Sequence, residues 1–251
     1  MFGRVWGITR SLAMYHGIPG RQRRMRRLYR EFLGPGDLGF DIGAHVGSRV
    51  RAWRRLGARV IAVEPQPDCV RVLRLFFGRD RNVTIVPGAV GAKAGRARLA
   101  LSTATPTVSS MSPDWIESVT ADRSFGRVRW DRFVEVEVAT LDDLVATYGE
   151  PAFCKIDVEG FETDVLAGLT RPLRGLSFEY LPPAHDAALA VLELVERLGA
   201  AAGGYRYNYS PIETMRLAGE RWLDATELVR LLERYRPLGR SGDVYARLHG
   251  G

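Results

Sequence analysis

A regular alternation of short apolar segments with amphipathic segments is the feature that most constrains the fold of this chain. Segments Leu38–Ile42, Arg59–Glu64 and Val83–Val86 are apolar, short enough for buried strands, and recur about every 22 residues. The residues between them have helical spacing, which predicts helices at Ser48–Leu56 and Cys69–Phe77. This β-α-β-α-β order predicts a parallel, doubly wound sheet, so the expected fold class is α/β.

The same alternation continues downstream. Further strands are predicted at Ala152–Asp157, Leu176–Tyr180, Tyr205–Tyr209, Glu213–Leu217 and Asp243–Leu248, with helices at Glu162–Leu169, Ala187–Leu198 and Asp224–Tyr235. Thr140 is the expected N-cap of another helix, because two acids follow in its first turn, and Asp224 is a second expected cap. Residues 34–251 are therefore expected to form one domain.

Two segments in the middle of the chain depart from this order. Ala97–Ser102 and Phe133–Val138 alternate apolar and polar residues, which predicts half-exposed strands that pair with each other. Residues 103–130 between them are rich in Ser, Thr, Pro and Trp and have no clear period. A loop of this length in a compact enzyme is usually functional, so we expect a lid. Thr107, Ser109, Ser110, Trp115 and Trp130 are its candidate contacts to a substrate.

Residues 1–33 are expected to form a basic helical extension, broken at residues 17–20. Apolar Met25, Leu28 and Tyr29 recur at spacings of 3 and 4 among the arginines of residues 21–30, which predicts an amphipathic helix with a solvated basic face. A patch that binds phosphate, nucleic acid or an anionic membrane is the alternative. Peripheral membrane contact through residues 21–30 therefore stays open.

Composition narrows the class of protein. With 251 residues, 46% of them hydrophobic, the chain can build one substantial core. The net charge is +7, but 29 acids argue against a dedicated nucleic-acid binder. We find no apolar run long enough to span a membrane and no signal-peptide pattern, and we expect Cys69 and Cys154 to be reduced, so a cytoplasmic protein is expected.

A glycine turn and an acid point to a cofactor. Asp41 to Gly47 (Asp-Ile-Gly-Ala-His-Val-Gly) lies between the first predicted strand and its helix. Gly43 allows a sharp turn and a close approach to a ligand. Glu64 ends the next strand, 21 residues after Gly43, where a carboxylate accepts hydrogen bonds from ribose hydroxyls. These features predict a cofactor that contains adenosine.

The spacing of the glycines favours one such cofactor. A nicotinamide site usually has three glycines as G-x-G-x-x-G, whereas this loop has two, Gly43 and Gly47, preceded by Asp41. A carboxylate before the glycine suits a cationic ligand better than a pyrophosphate. S-adenosylmethionine, with its sulfonium and ammonium, is the expected cofactor; a dinucleotide site and a plain strand–helix turn are the alternatives.

Charged residues crowd the end of the strand predicted at Ala152–Asp157. They are Lys155, Asp157, Glu159 and Glu162. Ligands of open α/β sheets bind outside the carboxyl ends of the strands. Asp157 and Glu159 are expected to share one face because side chains alternate along a strand. Lys155 is expected to be a structural partner of one of these acids, and Glu162 to begin the next helix.

The chain resembles the FkbM family of S-adenosylmethionine-dependent methyltransferases. The resemblance lies in four stretches: Phe40–Gly47, Val60–Pro65, Thr140–Leu144 and Lys155–Glu162. It implies the class I methyltransferase fold, a Rossmann-like sheet of seven strands with the last strand antiparallel. It also implies methyl transfer to a hydroxyl oxygen of a sugar, glycan or natural product. His45 departs from the family pattern, which has Asn there.

The resemblance assigns roles to particular residues. The cofactor contacts it implies are Asp41, Gly43, Ala44, Gly47, Glu64, Pro65, Ala89 and Asp157, with Ala89 near the adenine. O-methylation needs a group that accepts the proton of the hydroxyl. The candidates are Asp157, then Glu159 and Glu179, and also His45. Paired acids also suit a divalent cation, but no His-rich spacing supports a metal, and none is expected.

Three other functions remain as alternatives. The net positive charge suggests a nucleic-acid methyltransferase, but the acidic segment Asp157-Val158-Glu159-Gly160 is a poor lining for a channel that holds a polyanion. The others are a nicotinamide-dependent oxidoreductase and a non-catalytic membrane-associated module. The acceptor expected here is a small molecule or glycan, without nucleic acid.

Overall fold

A computed structural model describes residues 18–102, 110–112, 130–212 and 214–249. The helices are α1 (Arg21–Tyr29), α2 (Ser48–Arg54), α3 (Pro67–Phe77), α4 (Leu141–Tyr148), α5 (Glu162–Ala167), α6 (His185–Gly199) and α7 (Ala225–Tyr235). The strands are β1 (Leu38–Ile42), β2 (Arg59–Val63), β3 (Val83–Val86), β4 (Ala89–Val90), β5 (Gly95–Leu101), β6 (Arg132–Ala139), β7 (Phe153–Ile156), β8 (Gly175–Tyr180), β9 (Tyr205–Pro211) and β10 (Gly242–Leu248).

Seven strands form one sheet in the order β3-β2-β1-β7-β8-β10-β9. The pairs from β3 to β8 are parallel, and β10 runs antiparallel to both β8 and β9. Strand order reverses between β1 and β7, and crevices at such switch points are where open α/β sheets bind ligands. The predicted class I methyltransferase sheet, with its antiparallel last strand, is confirmed.

Helices cover both faces of the sheet because each face is apolar. Residues of α1, α2 and α3 share one buried cluster, which includes Tyr29, Trp53 and Phe77. Residues of α4 to α7 pack into a second cluster on the opposite face. The predicted amphipathic helix in the basic extension is confirmed as α1, whose Met25 and Tyr29 are buried.

A second, small sheet lies beside the large one in the order β4-β6-β5. The predicted pairing of the two half-exposed strands is confirmed, since β5 and β6 are antiparallel. The short strand β4, which the sequence did not predict, joins them in parallel to β6. Of the predicted lid, Ser110 and Trp130 lie in the described part, whereas Thr107, Ser109 and Trp115 lie outside it.

Two local predictions need correction. The described residues of the strand predicted at Glu213–Leu217 form turns and bends instead. Thr214 donates its backbone N–H and its hydroxyl to the carbonyl of Pro211, which closes a turn after β9. Strand β7 ends at Ile156, so alternation along a strand does not place Asp157 and Glu159 on one face.

Both cysteines are buried free thiols, as expected. None of the helices in the described residues is long and apolar enough to cross a membrane.

Candidate active site

A cavity of about 830 Å³, its open mouth included, lies at the carboxyl ends of β1, β2 and β7. Most of the predicted site residues line it: Gly43, Ala44, His45, Glu64, Pro65, Ala89, Asp157 and Glu159. Asp41 and Gly47 do not line it but are next in sequence to residues that do, and Glu179 lines a smaller cavity next to it. The fold therefore brings together residues that are far apart in the chain.

The loop after β1 is fixed by glycines for reasons of packing. A Cβ at Gly43 would overlap the carbonyl oxygen of Asp157, and φ at Gly43 is 83°. A Cβ at Gly47, where φ is 77°, would overlap Phe77 and Leu73 of α3. Glycine is needed at both positions because only it combines a positive φ with so close an approach. The close approach expected at Gly43 is thus made to the end of β7.

Glu64 ties this loop to the end of β2. Its carboxylate accepts the backbone N–H of His45 at 2.7 Å and that of Gln66 at 2.8 Å. Burial raises the pKa of Glu64 to about 7, although these two hydrogen bonds lower it. Each carboxylate oxygen keeps a further lone pair. Glu64 is therefore placed to accept hydrogen bonds from vicinal hydroxyls in the cavity.

One end of the cavity is apolar and suits a flat base. Val63, Ala89 and Val90 form its floor, and Leu99 and Met111 extend it. Neighbouring Ser110 donates its hydroxyl to the carbonyl oxygen of Glu159 at 2.7 Å. The residues between β5 and β6 therefore reach the cavity through Ser110 and Met111. Sequence reasoning missed Leu99 and Met111, whose apolar side chains look like ordinary core.

Two positively charged residues lie beside Asp157: Lys155, which was expected to partner one of these acids, and Arg49, which the sequence analysis did not name. Arg49 Nη2 lies 3.2 Å from Asp157 Oδ2, and Lys155 Nζ lies 3.7 Å from the same oxygen. The closer partner of Lys155 is Asp243 on β10, at 2.7 Å. Burial raises the pKa of Asp157, but the positive charges of Lys155 and Arg49 lower it by more, so this pKa lies below its ordinary value. Asp157 is therefore held as a carboxylate.

Arg49 could have been found from the sequence. It lies in the first turn of α2, where a positive charge opposes the helix dipole. A cation at that position is favourable only if it pairs with an acid nearby. Tyr29 of α1 also holds Arg49, because Arg49 Nε donates to the tyrosine hydroxyl at 3.2 Å.

Asp41 is a buried carboxylate that has no hydrogen-bond partner among the described residues. Its residue is 1% exposed, and it directly precedes Ile42 and Gly43 of the cavity wall. Burial raises its pKa to about 6, against the opposing charge of Arg49. An orphaned carboxylate behind the cavity fits a cationic ligand there and does not fit a pyrophosphate.

Three acids, two from the loop after β7 and one from strand β8, converge at the edge of the cavity. Carboxylate oxygens of Asp157, Glu159 and Glu179 lie within 4.8 Å of one another. Burial and the negative charges of Glu179 and Asp157 raise the pKa of Glu159 well above its ordinary value. Burial and the charge of Asp157 do the same to the pKa of Glu179. These oxygens are also the ligands that a hard cation such as Mg²⁺ or Ca²⁺ takes.

The backbone at this edge is unusual. Glu159 and His45, both in the cavity wall, have positive φ values of 54° and 48°. Non-glycine residues rarely adopt this conformation, and such residues cluster at functional sites.

Comparisons with known proteins show the family of this chain. The methyltransferase FkbM domain matches residues 41–207, which include both the glycine loop and the three acids. No curated protein sequence gives a significant match.

Among solved structures, the chain is similar to precorrin-6Y C5,15-methyltransferase from Geobacter metallireducens, with 12% identity, a TM-score of 0.47, and coverage of 90% of this chain and 87% of that chain. It is also similar to a putative RNA methyltransferase from Pyrococcus horikoshii (12% identity, TM-score 0.40, coverage 92% and 85%). A third is an S-adenosylmethionine-dependent O-methyltransferase from Thermotoga maritima (12% identity, TM-score 0.41, coverage 91% and 64%). Since the domain match spans more than half of the sequence, the chain belongs to the FkbM family of methyltransferases, and its cofactor is S-adenosylmethionine.

Proposed function

We propose that this methyltransferase transfers the methyl group to a hydroxyl oxygen of an uncharged acceptor, such as a sugar or a natural product. One observation carries the proposal: the three acids Asp157, Glu159 and Glu179 stand between the cofactor cavity and a second cavity. An acceptor hydroxyl held there would have a carboxylate beside it to take its proton.

The residues around the large cavity suit the parts of the cofactor. Glu64 would hold the ribose hydroxyls, and the apolar floor with Ala89 would hold the adenine. Asp41 and Asp157, on the side of the cavity next to the glycine loop, would compensate the ammonium. When bound, S-adenosylmethionine supplies an electrophilic methyl group on a sulfonium.

Glu159 is the best candidate for the proton acceptor. Asp157 is held as a carboxylate by Arg49 and Lys155, and a group of low pKa is a weak base. Burial raises the pKa values of Glu159 and Glu179, and nearby negative charges raise them further: those of Glu179 and Asp157 for Glu159, and that of Asp157 for Glu179. A carboxylate of this kind takes a proton more readily near neutral pH. Asp157 would then orient the acceptor and the cofactor.

The second cavity indicates what kind of acceptor fits. It measures about 330 Å³ and is lined by small and apolar residues, including Ala184, Ala188 and Val191, together with Glu162 and Glu179. The lining, as described, offers two carboxylates and no positive charge. It therefore favours an uncharged group and disfavours a phosphate, which argues against a nucleic-acid acceptor at this site.

The test is a methyl-transfer assay over hydroxyl-bearing acceptors, with the products identified by mass. Glu159→Gln is expected to lower kcat about 10²- to 10⁴-fold, because the base is lost. Its affinity for the cofactor, measured by calorimetry, should stay within about tenfold. In the wild type kcat should rise with pH as the acid pair loses its proton, and the variant should lack this rise.

Glu150→Gln, at an exposed position in the connection between α4 and β7, is the matched control and should leave kcat unchanged. Wild-type turnover in Glu159→Gln would remove Glu159 from the chemistry. Loss of activity on chelation, restored by Mg²⁺, would reassign the three acids to a cation. Methylated nitrogen or carbon in the products would contradict O-methylation itself.

A further inference from the structure

The positive charge of this protein is concentrated in one part of the chain. Residues 1–82 contain 17 of the 36 basic residues and 6 of the 29 acids, a net charge of +11, whereas residues 83–251 carry −4. Within the described residues, this part consists of α1, α2 and α3 with the strands β1 and β2. The charge therefore belongs mainly to one layer of helices.

That layer turns its arginines outward. Arg23, Arg24 and Arg27 of α1 and Arg30 at its C-cap are exposed, while Met25 and its apolar neighbours face the sheet. In the described part of the chain, none of these four arginines forms an ion pair. An uncompensated row of this kind attracts an anionic surface.

Apolar side chains are exposed on the same layer. Leu75 and Phe76 near the end of α3 are 79% and 44% exposed. The Arg51 guanidinium of α2 lies 5.6 Å from the centre of the Phe76 ring, which links the two helices. Arg55, one turn further along α2, is also exposed.

We propose that this layer is a docking surface for an anionic phospholipid membrane. We define the arginine face by Arg23, Arg24, Arg27, Arg30, Arg51, Leu75 and Phe76. Arginine attracts the headgroups of anionic lipids, and exposed Leu and Phe side chains insert at the boundary of the acyl chains. A nucleic acid would match the charge, but it offers nothing to an exposed aliphatic side chain such as Leu75.

The arginine face and the cofactor cavity occupy different sides of the molecule. The cavity opens at the carboxyl ends of the strands, whereas the face is the outer surface of the helices that cover the sheet. Docking would therefore leave the cavity open to an acceptor. The proposal does not depend on which atom is methylated.

Flotation of the full-length protein with vesicles tests the proposal. Binding is expected to vesicles of phosphatidylcholine with phosphatidylserine, and to be weak on phosphatidylcholine alone or at high salt. Each arginine of α1 replaced by Gln should lower the partition coefficient about fivefold, the equivalent of about 1 kcal/mol. Leu75→Ser with Phe76→Ser should also weaken binding, but should preserve its dependence on salt.

Matched controls lie on the opposite side of the sheet. Arg171, Arg197, Arg230 and Arg234 are exposed there, so their replacement by Gln removes the same charge from another surface. Leu238, 62% exposed, is the apolar control. If replacement of the two arginine sets weakened vesicle binding equally, net charge alone would account for the attraction, and the proposal would be overturned. Binding of a single-stranded RNA oligonucleotide through Arg23 to Arg30, without vesicle binding, would replace the membrane with nucleic acid.

Discussion

Asp41 shows how a single residue can be arranged for a ligand at a cost to the fold. Its carboxylate is buried and has no hydrogen-bond partner in the described residues, so its charged form is unfavourable in the free protein. A cation bound in the cavity would offset this cost. The raised pKa of Asp41 has a direct consequence for how stability depends on pH.

The folded pKa of Asp41, about 6, lies above its ordinary value of 3.8. Stability therefore falls as pH rises from about 4 to about 6, where the folded protein loses this proton. Asp41→Asn should raise the free energy of unfolding by roughly 3 kcal/mol at about pH 8 and by roughly half as much at about pH 5. Urea unfolding of the wild type and the variant at the two pH values measures these changes in the free energy of unfolding.

Asp186→Asn, at an exposed position, is the control for this experiment and should leave the pH dependence unchanged. If Asp41→Asn raised the free energy of unfolding equally at both pH values, Asp41 would not titrate in this range. The same variant should bind S-adenosylmethionine more weakly, because the compensating charge is gone.

At the scale of elements, α1 is both an outer surface and a support of the site. Gln22 donates its side-chain amide to the carbonyl of Ser48 at 3.1 Å, and Tyr29 accepts from Arg49 at 3.2 Å. Both partners lie at the start of α2 and line the cavity. The helix thus fixes the arginine that holds Asp157.

Tyr29→Phe tests this support. The ring would keep its edge contact with Trp53, at 5.2 Å between ring centres, while Arg49 would lose one of its two anchors. We expect kcat to fall severalfold and the free energy of unfolding to fall by about 1 kcal/mol. Steady-state kinetics and urea unfolding measure the two effects.

Tyr205→Phe separates positioning from stability. Its hydroxyl is bonded to the backbone of Leu173, on the face of the sheet away from α1. This control should lose a similar amount of stability without a change in kcat. Equal kinetics for the two variants would mean that Tyr29 only stabilises the fold.

At the scale of the whole molecule, one buried lysine joins strands that are far apart in the sequence. Lys155 on β7 is fully buried and reaches across β8 to Asp243 on β10. Its positive charge also faces Asp157, and burial opposes that charge while the two acids raise its pKa. The antiparallel end of the sheet is therefore tied to the active site by charge.

Lys155→Met should lower the free energy of unfolding by roughly 3 kcal/mol, because Asp243 loses its partner Lys155 and Asp157 keeps only Arg49. Asp243→Asn should lower the free energy of unfolding less in this variant than in the wild type, and the difference should be about 1 kcal/mol or more. Denaturant unfolding of the two single variants and the double variant measures this coupling. Strictly additive losses would contradict it.

Much of the fold could be predicted because its causes are local. Thr140 and Asp224 begin α4 and α7, and each accepts a backbone N–H within its own first turn, as their sequences indicate. The buried strands were recognisable from short apolar runs. Strand β4 was missed because two residues carry no period. Met215, with φ at 52°, follows the turn after β9 in an irregular segment that apolar spacing does not reveal.

The candidate site was predicted less completely. Its glycine loop and the acids Glu64, Asp157 and Glu159 were named from the sequence, and all of them meet in one cavity. Arg49 was not named, nor was the contact between Lys155 and Asp243. An ion pair depends on which elements become neighbours, and residues 88 positions apart have no local signal of that.

The sequence by itself determined most of the strands and helices, the methyltransferase family and the cofactor. Helix capping and apolar periodicity act over a few residues, so the elements can be predicted along the chain, and the family follows from four short motifs that resemble FkbM methyltransferases. Only the tertiary structure decided which acid is held as a carboxylate, which acids share a raised pKa, and where the arginines gather. Those properties arise from distances between elements and from burial, and both exist only once the sheet and its two layers of helices have packed.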